Sequence, residues 1–169
     1  MQYLATITKE GDSLLAEFPD APGCQTFART EAELREAARE ALEGWLEAHL
    51  IDGEAPPRPK RRRATAGHWL VDVDPALSVA LQLRWARQDA GLTQTELARR
   101  VGVSQQQIGK LERNGTNPSL VTLEKLARAL GARLEVKLLE AAEPPAVERH
   151  RAVERREAPP PARGRSRAS

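Results

Sequence analysis

The spacing of apolar residues over the first thirty positions predicts a small β-sheet. Apolar side chains alternate along residues 3–7 and again along residues 13–18, and Gly11-Asp12 between the two runs is a turn signal. Two alternating runs joined by a short turn are typical of a β-hairpin. Residues 25–28 follow a loop rich in proline and glycine, and they predict a short third strand.

Beyond residue 30 the apolar spacing becomes helical. Thr30 followed by Glu33 is a capping box, a pair that satisfies free backbone N–H groups at a helix N-terminus. The helix predicted behind it ends near Asp52-Gly53, and its apolar face comprises Leu34, Ala38, Ala41, Leu42, Trp45 and Leu46. Residues 68–74 alternate again and predict a fourth strand, which Pro75 ends. The order is therefore β-β-β-α-β, a small sheet with one helix on one face.

The second part of the chain predicts a set of short helices. They cover residues 77–91, 94–101, 104–113 and 119–130. The second and third helices open on further capping boxes, Thr93 with Glu96 and Ser104 with Gln107. Gly102 stands between these two helices, where the chain must reverse and a left-handed backbone favours glycine. The whole chain is thus predicted as an α+β protein with an all-α second domain.

Two segments lack the apolar residues that a core needs. Residues 55–66 hold three prolines and four consecutive cations, so we interpret them as a linker-like loop within a first domain of residues 1–75. Residues 140–169 consist largely of Pro, Ala, Arg and Glu and are predicted to be a disordered tail. The helical domain between them spans residues 77–139.

That domain ends in a candidate strand. Residues 133–138 alternate apolar and charged side chains. Such a strand would pair either with the same strand of a second chain or with its own domain.

Charge divides the chain into the same two halves. Residues 1–59 hold 12 acidic and 5 basic side chains, whereas residues 60–169 hold 12 and 21, which gives net charges of −7 and +9. A basic half is compatible with nucleic acid, and an acidic half is compatible with a basic protein.

Cysteine and hydropathy narrow the class of protein further. The single cysteine, Cys24, excludes an internal disulfide and a cysteine-based zinc site. No apolar run approaches the roughly 18–20 residues that span a bilayer, and the first residues lack the pattern of a signal peptide. We therefore expect a cytoplasmic protein with no membrane partner, no metal and no cofactor.

Several stretches of the first domain occur together in one known family. They are Tyr3, Ile7, Gly11-Asp12 and residues 17–24, 30–34, 41–46 and 52–59. With these residues the domain resembles the HicB family of antitoxins. The resemblance implies a partial RNase H-like fold without RNase activity, and a partner toxin, HicA, which cleaves mRNA.

The carboxylates of this domain also argue against an enzyme. An RNase H-type site needs several carboxylates that converge on Mg²⁺. Asp12 and Asp20 lie at predicted turns, where aspartate commonly holds the backbone, and Asp72 and Asp74 alone are weak support for a metal. We expect no catalytic residues.

The second domain carries another spaced motif. Its residues are Thr93, Gln94, Glu96 to Ala98, Gly102 to Ser104, Ile108, Leu111, Glu112, Gly115 and Pro118 to Leu120. They resemble the Cro/repressor-type, XRE-like helix-turn-helix. The resemblance implies a recognition helix that begins after Ser104 and enters the major groove of operator DNA.

Glutamine suits that task because its amide donates and accepts at once, which matches adenine N6 and N7. Lambdoid repressors, which the motif resembles, present glutamines at the places of Gln105 and Gln106. Gln107 has the competing role of capping the helix, and Gln94 resembles the family's phosphate contact. The candidate DNA-binding residues are Gln94, Ser104, Gln105, Gln106, Gln107, Lys110, Asn114 and Thr116.

The first hypothesis is an antitoxin that neutralises a HicA-like mRNA-cleaving toxin and represses its own operon. A net charge of only +5 over residues 77–139 favours a homodimer or higher homo-oligomer, with half-sites about 34 Å apart. The candidate toxin-binding residues are Glu36, Glu40, Glu43 and Glu47, although these can equally be an ordinary solvent-exposed face, and the sheet and its loops are equal candidates. The alternative is a stand-alone transcriptional regulator whose first domain senses a ligand or oligomerises; a metal-dependent nuclease is a third, weaker option.

Overall fold

The computed structural model describes residues 1–60, 63–113 and 117–137. Within them the chain is an α+β protein with one four-stranded sheet and five helices. The elements are β1 (Gln2–Glu10), β2 (Ser13–Glu17), β3 (Gln25–Ala28), α1 (Glu31–Ile51), β4 (His68–Asp72), α2 (Pro75–Asp89), α3 (Gln94–Val101), α4 (Gln105–Leu111) and α5 (Leu120–Ala129). The predicted β-β-β-α-β order of the first part is confirmed.

The sheet has the strand order β3-β2-β1-β4, and every pair of neighbouring strands is antiparallel. Ile7 lies opposite Ala16 on β2, and Tyr3 lies opposite Val71 on β4. Gly11 takes a positive φ of 59° in the β1–β2 turn, a conformation that costs glycine little. The predicted hairpin and third strand are therefore present.

The first hydrophobic core lies between one face of the sheet and α1. The buried residues of α1 are Leu34, Ala38, Leu42, Leu46 and Leu50. They pack in one cluster with sheet residues that share a face, among them Tyr3, Ala5 and Val71. Full burial of one such leucine side chain contributes about 1.5–3 kcal/mol, so this face dominates the stability of the sheet.

Helix α2 contributes to two cores. Leu77, Leu81 and Trp85 belong to the core of the sheet. Leu83 belongs to the core of the helix-turn-helix, together with Leu97, Ala98, Ile108 and Leu126. The predicted boundary near residue 76 therefore falls at the start of a helix that packs on both sides.

The junction of β4 and α2 differs slightly from the prediction. The strand ends at Asp72 rather than 74, and α2 begins at Pro75 rather than near 77. The Asp74 side chain accepts hydrogen bonds from the backbone N–H groups of Ala76 (2.8 Å) and Leu77 (3.0 Å). Asp74 is thus the N-cap of α2, because its carboxylate satisfies two free donors of the first turn.

The proline-rich segment after α1 is a loop without helix or strand, but it is not loosely attached. Pro56 is fully buried, and its carbonyl accepts a hydrogen bond of 2.9 Å from Trp85 Nε1. The carbonyl of Pro57 accepts one of 2.9 Å from the Tyr3 hydroxyl. Proline has no N–H to donate, so side chains from distant elements hold this loop through its carbonyls.

Two further predictions concern the C-terminal part. Residues 133–137 form no strand within this chain, so the predicted pairing with its own domain is wrong for this described part of 133–138. Pairing with the same strand of a second chain stays a prediction. Residues 1–134 form one unit and residues from 135 onward a second one. The predicted disordered tail, residues 140–169, lies outside the described residues. None of the described helices is long and apolar enough to cross a membrane.

Candidate nucleic-acid interface

Helices α3 and α4 form the turn that the sequence predicts. Gly102 is the C-cap of α3 with a φ of 78°, and its N–H donates to the carbonyl of Ala98 at 2.9 Å. Both helices begin with complete capping boxes, at Thr93 and at Ser104. The two helices are thus started and stopped by local hydrogen bonds, which fixes where the residues after Ser104 emerge.

The first turn of α4 presents polar side chains to solvent. Ser104, Gln105, Gln106, Gln107 and Lys110 are all exposed. The Gln107 side chain is occupied, because its Oε1 accepts from the backbone N–H of Ser104 at 2.9 Å. Gln106 and Lys110, one helical turn apart, share a face of α4. The outward side chains that take no part in this cap are therefore Gln105, Gln106 and Lys110.

Gln105 is held by a residue of the preceding helix. Its Nε2 donates to Gln94 Oε1 at 2.7 Å. Gln94 in turn donates from Nε2 to Glu112 Oε2 at 3.0 Å. Since the carboxylate can only accept, it orients the Gln94 amide with its oxygen toward Gln105. The structure thus brings two of the predicted residues, Gln94 and Gln105, into direct contact. Glu112, to which the sequence analysis gave no role, fixes the orientation of Gln94.

Glu112 is a fully buried carboxylate at the end of α4. Arg87 donates to it twice, from Nε at 2.5 Å and from Nη2 at 2.8 Å. This hydrogen bonding raises the pKa of Arg87, and burial opposes it. A buried charge needs such a bidentate partner, because removal from water is costly for an unpaired ion.

Arg84 is the second cation beside this carboxylate. Its side chain is 4% exposed, and Nε lies 3.6 Å from Glu112 Oε2. Burial lowers the pKa of Arg84, and the charge of Glu112 partly offsets that effect. The other end of the guanidinium donates to the carbonyls of Glu54 (2.6 Å) and Leu50 (3.3 Å). Arg84 therefore links the end of α1 to the carboxylate that orients Gln94.

Gly109 and Arg113 lie beside the Gln94–Gln105 hydrogen bond. Gly109 is buried in α4, and a Cβ there would lie 3.6 Å from Gln94 Oε1 and 3.3 Å from Arg113 Nη2. Arg113 is exposed and donates from Nε to the carbonyl of Gly109 at 3.2 Å. A small residue thus leaves room beside the pair, and a cation lies next to it.

The acidic side of α1 is partly neutralised within the helix. Arg39 pairs with Glu36 and with Glu43, the latter at 3.0 Å. Glu43 is only 20% exposed and also accepts from the N–H of Asp74 at 3.1 Å. Glu40 and Glu47 are exposed. The four glutamates predicted as a docking face therefore differ in how much charge they present to solvent.

The structure does not test two of the predicted site residues. Asn114 and Thr116 lie outside the described residues. Over the part of the chain that the structure describes, no group of three or more His, Cys, Asp or Glu side chains can hold a metal ion.

Sequence reasoning missed the buried ions around Glu112. One signal was available: Arg84 falls on the apolar stripe of α2, seven residues after Leu77 and three after Leu81. A cation at such a position indicates a buried partner.

Comparisons with known proteins agree with both halves of this structure. Residues 83–137 match the helix-turn-helix family model. Antitoxin HicB 1 of Photorhabdus laumondii is 30% identical over 139 residues, which is 82% of this chain and 87% of the relative. Antitoxin HicB of Escherichia coli strain K12 is 28% identical over 137 residues, or 80% and 98%.

Among solved structures, a chain of a HicA3 and HicB3 toxin-antitoxin complex is 27% identical, with a TM-score of 0.39 over 44% of this chain and all of that one. The relatives named here are antitoxins rather than enzymes. The 30% identity to the Photorhabdus antitoxin over 87% of its length shows that the chain belongs to the HicB family of antitoxins, and residues 83–137 are its helix-turn-helix domain.

Proposed function

We propose that the chain is the antitoxin of a type II toxin-antitoxin system that also represses its own operon. The first domain neutralises a HicA-like mRNA-cleaving toxin, and the helix-turn-helix binds operator DNA. One observation carries the DNA half: a buried carboxylate, Glu112, orients Gln94, which in turn holds Gln105 at the exposed start of α4. A preorganised polar side chain at that place is what base recognition requires.

The hydrogen bonds left open on Gln105 suit adenine. One Nε2 hydrogen is used by Gln94, so the second hydrogen and the amide oxygen remain for a base. Adenine presents an N6 donor and an N7 acceptor in the major groove, which pair with that combination. Gln106 and Lys110 read further positions or phosphates beside it, while Gln107 keeps α4 capped.

Phosphate contacts set the register on the duplex. Gln94 at the start of α3, Ser104 at the start of α4, and Asn114 and Thr116 after α4 are the proposed contacts, and the exposed Arg113 joins them. One domain supplies few such contacts, so a homodimer on a two-fold operator is part of the proposal.

The toxin half rests on family membership and charge. The HicB relatives are antitoxins that align over about four fifths of this chain. Residues 1–59 carry a net charge of −7, which is complementary to the basic surface that an RNA-cleaving protein needs. The partial RNase H-like description of this domain, without nuclease activity, belongs to the same proposal.

Two measurements on the purified full chain test the proposal. A gel-shift titration with its own promoter at modest salt is expected to show specific binding that a scrambled duplex does not compete away. Co-expression with the neighbouring open reading frame is expected to rescue growth and to retain a small protein on an affinity column. Promoter binding without any retained or toxic partner would favour the stand-alone regulator instead.

A further inference from the structure

The sheet has a second face that contributes to neither hydrophobic core. Along the strands, side chains alternate between the face that packs with α1 and the opposite side, which we call the outer face. Leu4, Leu15, Phe27 and Leu70 point to the outer face, and none of them belongs to either core cluster. The sheet therefore has apolar side chains on both faces. An antiparallel sheet that is covered on one face and open to water on the other would have polar side chains on the open face.

These apolar residues form two cross-strand pairs. Leu15 on β2 lies opposite Phe27 on β3, and Leu4 on β1 lies opposite Leu70 on β4. Phe27 is 75% exposed, a large fraction for an aromatic ring in a strand. Leu15 and Leu70 are half-buried and Leu4 is buried. The most accessible apolar part of the face is thus the Leu15–Phe27 pair, at the β3 edge of the sheet.

The charges on the outer face all have one sign. By strand alternation its ionised side chains are Glu10, Glu17 and Asp72, and no lysine or arginine of the described strands points the same way. All three carboxylates are exposed. Glu17 lies opposite Thr6 and Gln25, at a level between the two apolar pairs. An exposed apolar pair is thus set among carboxylates, with no lysine or arginine of the described strands on the same face.

The exposed side of α1 is different. Arg35 stacks over Trp69 with 4.0 Å to the ring centroid, and Arg39 pairs with Glu36 and Glu43. The helix therefore mixes both signs, and several of its carboxylates already have partners. The outer face instead combines carboxylates of one sign with an exposed apolar pair, and this combination favours it over α1 as the surface that binds a basic protein.

We propose that the outer face, centred on Phe27 and Glu17, binds the basic RNA-binding surface of the toxin. The proposal rests on the proposed antitoxin function and specifies its surface. An aromatic residue surrounded by charges opposite to those of the partner is the usual composition of an interface hot spot and its rim. Docking there covers the basic groups with which an RNA-cleaving protein holds its substrate.

A matched pair of charge reversals tests this assignment. Glu17→Lys and Glu40→Lys each replace an exposed glutamate, one on the outer face and one on α1. The full-length variants are titrated by calorimetry with the protein encoded by the neighbouring open reading frame. Glu17→Lys and Phe27→Lys are each expected to weaken binding by about tenfold or more, while Glu40→Lys changes it less than about threefold.

The controls separate the possible failures. Promoter binding and circular dichroism are expected to stay unchanged in all three variants, which excludes misfolding as the cause. If the unaltered chain binds no neighbour-encoded protein, the proposed function itself fails. If the unaltered chain binds but Glu40→Lys alone weakens the complex, or if Phe27→Lys changes the oligomeric state of the isolated chain, the outer-face assignment is wrong while the antitoxin function stands.

Discussion

Arg84 and Glu112 contact each other inside the protein, with Nε and Oε2 3.6 Å apart and side-chain exposures of 4% and 0%. They come from α2 and from the C-cap of α4, 28 positions apart in the chain. Arg87 shares the same carboxylate through two shorter hydrogen bonds. The arrangement places one negative charge between two cations.

The first prediction compares the two partners of this contact. Glu112→Ala leaves both Arg84 and Arg87 buried without their carboxylate, so the free energy of unfolding should fall by about 3–5 kcal/mol. Arg84→Met leaves the Arg87–Glu112 pair intact and removes the longer Arg84–Glu112 contact together with the donors to Leu50 and Glu54, at a cost of about 1–3 kcal/mol. Urea titrations followed by tryptophan fluorescence measure both values. Equal losses would show that Arg84, not Arg87, is the main partner.

The second prediction concerns base reading. Gln106→Ala should weaken operator binding by about 1–3 kcal/mol and relax the preference at one base pair. Lys110→Ala is its control for a backbone contact: it should weaken all duplexes alike and reduce the salt-dependence slope by about one. Binding titrations on a set of single-base operator variants at several salt concentrations distinguish the two. A uniform loss for Gln106→Ala would assign Gln106 to the phosphate backbone.

The third prediction is a pH dependence at the start of α3. Hydrogen bonds from the Thr93 backbone and hydroxyl hold the pKa of Glu96 below its ordinary value of 4.5. A lowered folded-state pKa contributes stability that is present above pH 4.5 and lost as the pH falls through the folded-state pKa. The difference in urea midpoint between the unaltered chain and Glu96→Gln should therefore shrink as the pH falls below that value. A constant difference down to pH 3 would contradict the capping role of the charge.

The fourth prediction is that Cys24 is unreactive in the folded protein. Cys24 is 4% exposed, and burial raises the pKa of its thiol to about 11. The thiolate is the reactive form, so at pH 8 only about one thiol in a thousand is ready to react. A disulfide reagent such as Ellman's is expected to modify the chain slowly in buffer and fully in concentrated urea. Rapid modification of the native chain would show that the β2–β3 loop opens readily.

Local signals in the sequence predict most of the fold. The capping boxes at Thr30, Thr93 and Ser104 involve residues three positions apart, so each could be read without any knowledge of tertiary structure. The turn at Gly102 likewise follows from the backbone preference of a single residue. These signals placed the helix-turn-helix and most of the residues at its exposed face.

Contacts between distant residues were beyond that reasoning. Nothing near Pro56 in the chain indicates that Trp85 donates to its carbonyl, so the loop was interpreted as a linker. The Gln94–Glu112 contact spans 18 positions and depends on how α3 crosses the end of α4. A single sequence records neither relationship, because each partner alone is an ordinary residue for its element.

Helix α2 supplies Leu81 to one hydrophobic core and Leu83 to the other. Unfolding of either the sheet domain or the helix-turn-helix would therefore expose apolar surface of α2 on which the other one packs. Under the proposed function, a protease that begins to unravel the chain at either end would abolish operator occupancy and toxin sequestration together. Degradation would then have two simultaneous results: transcription of the operon resumes, and the toxin is released.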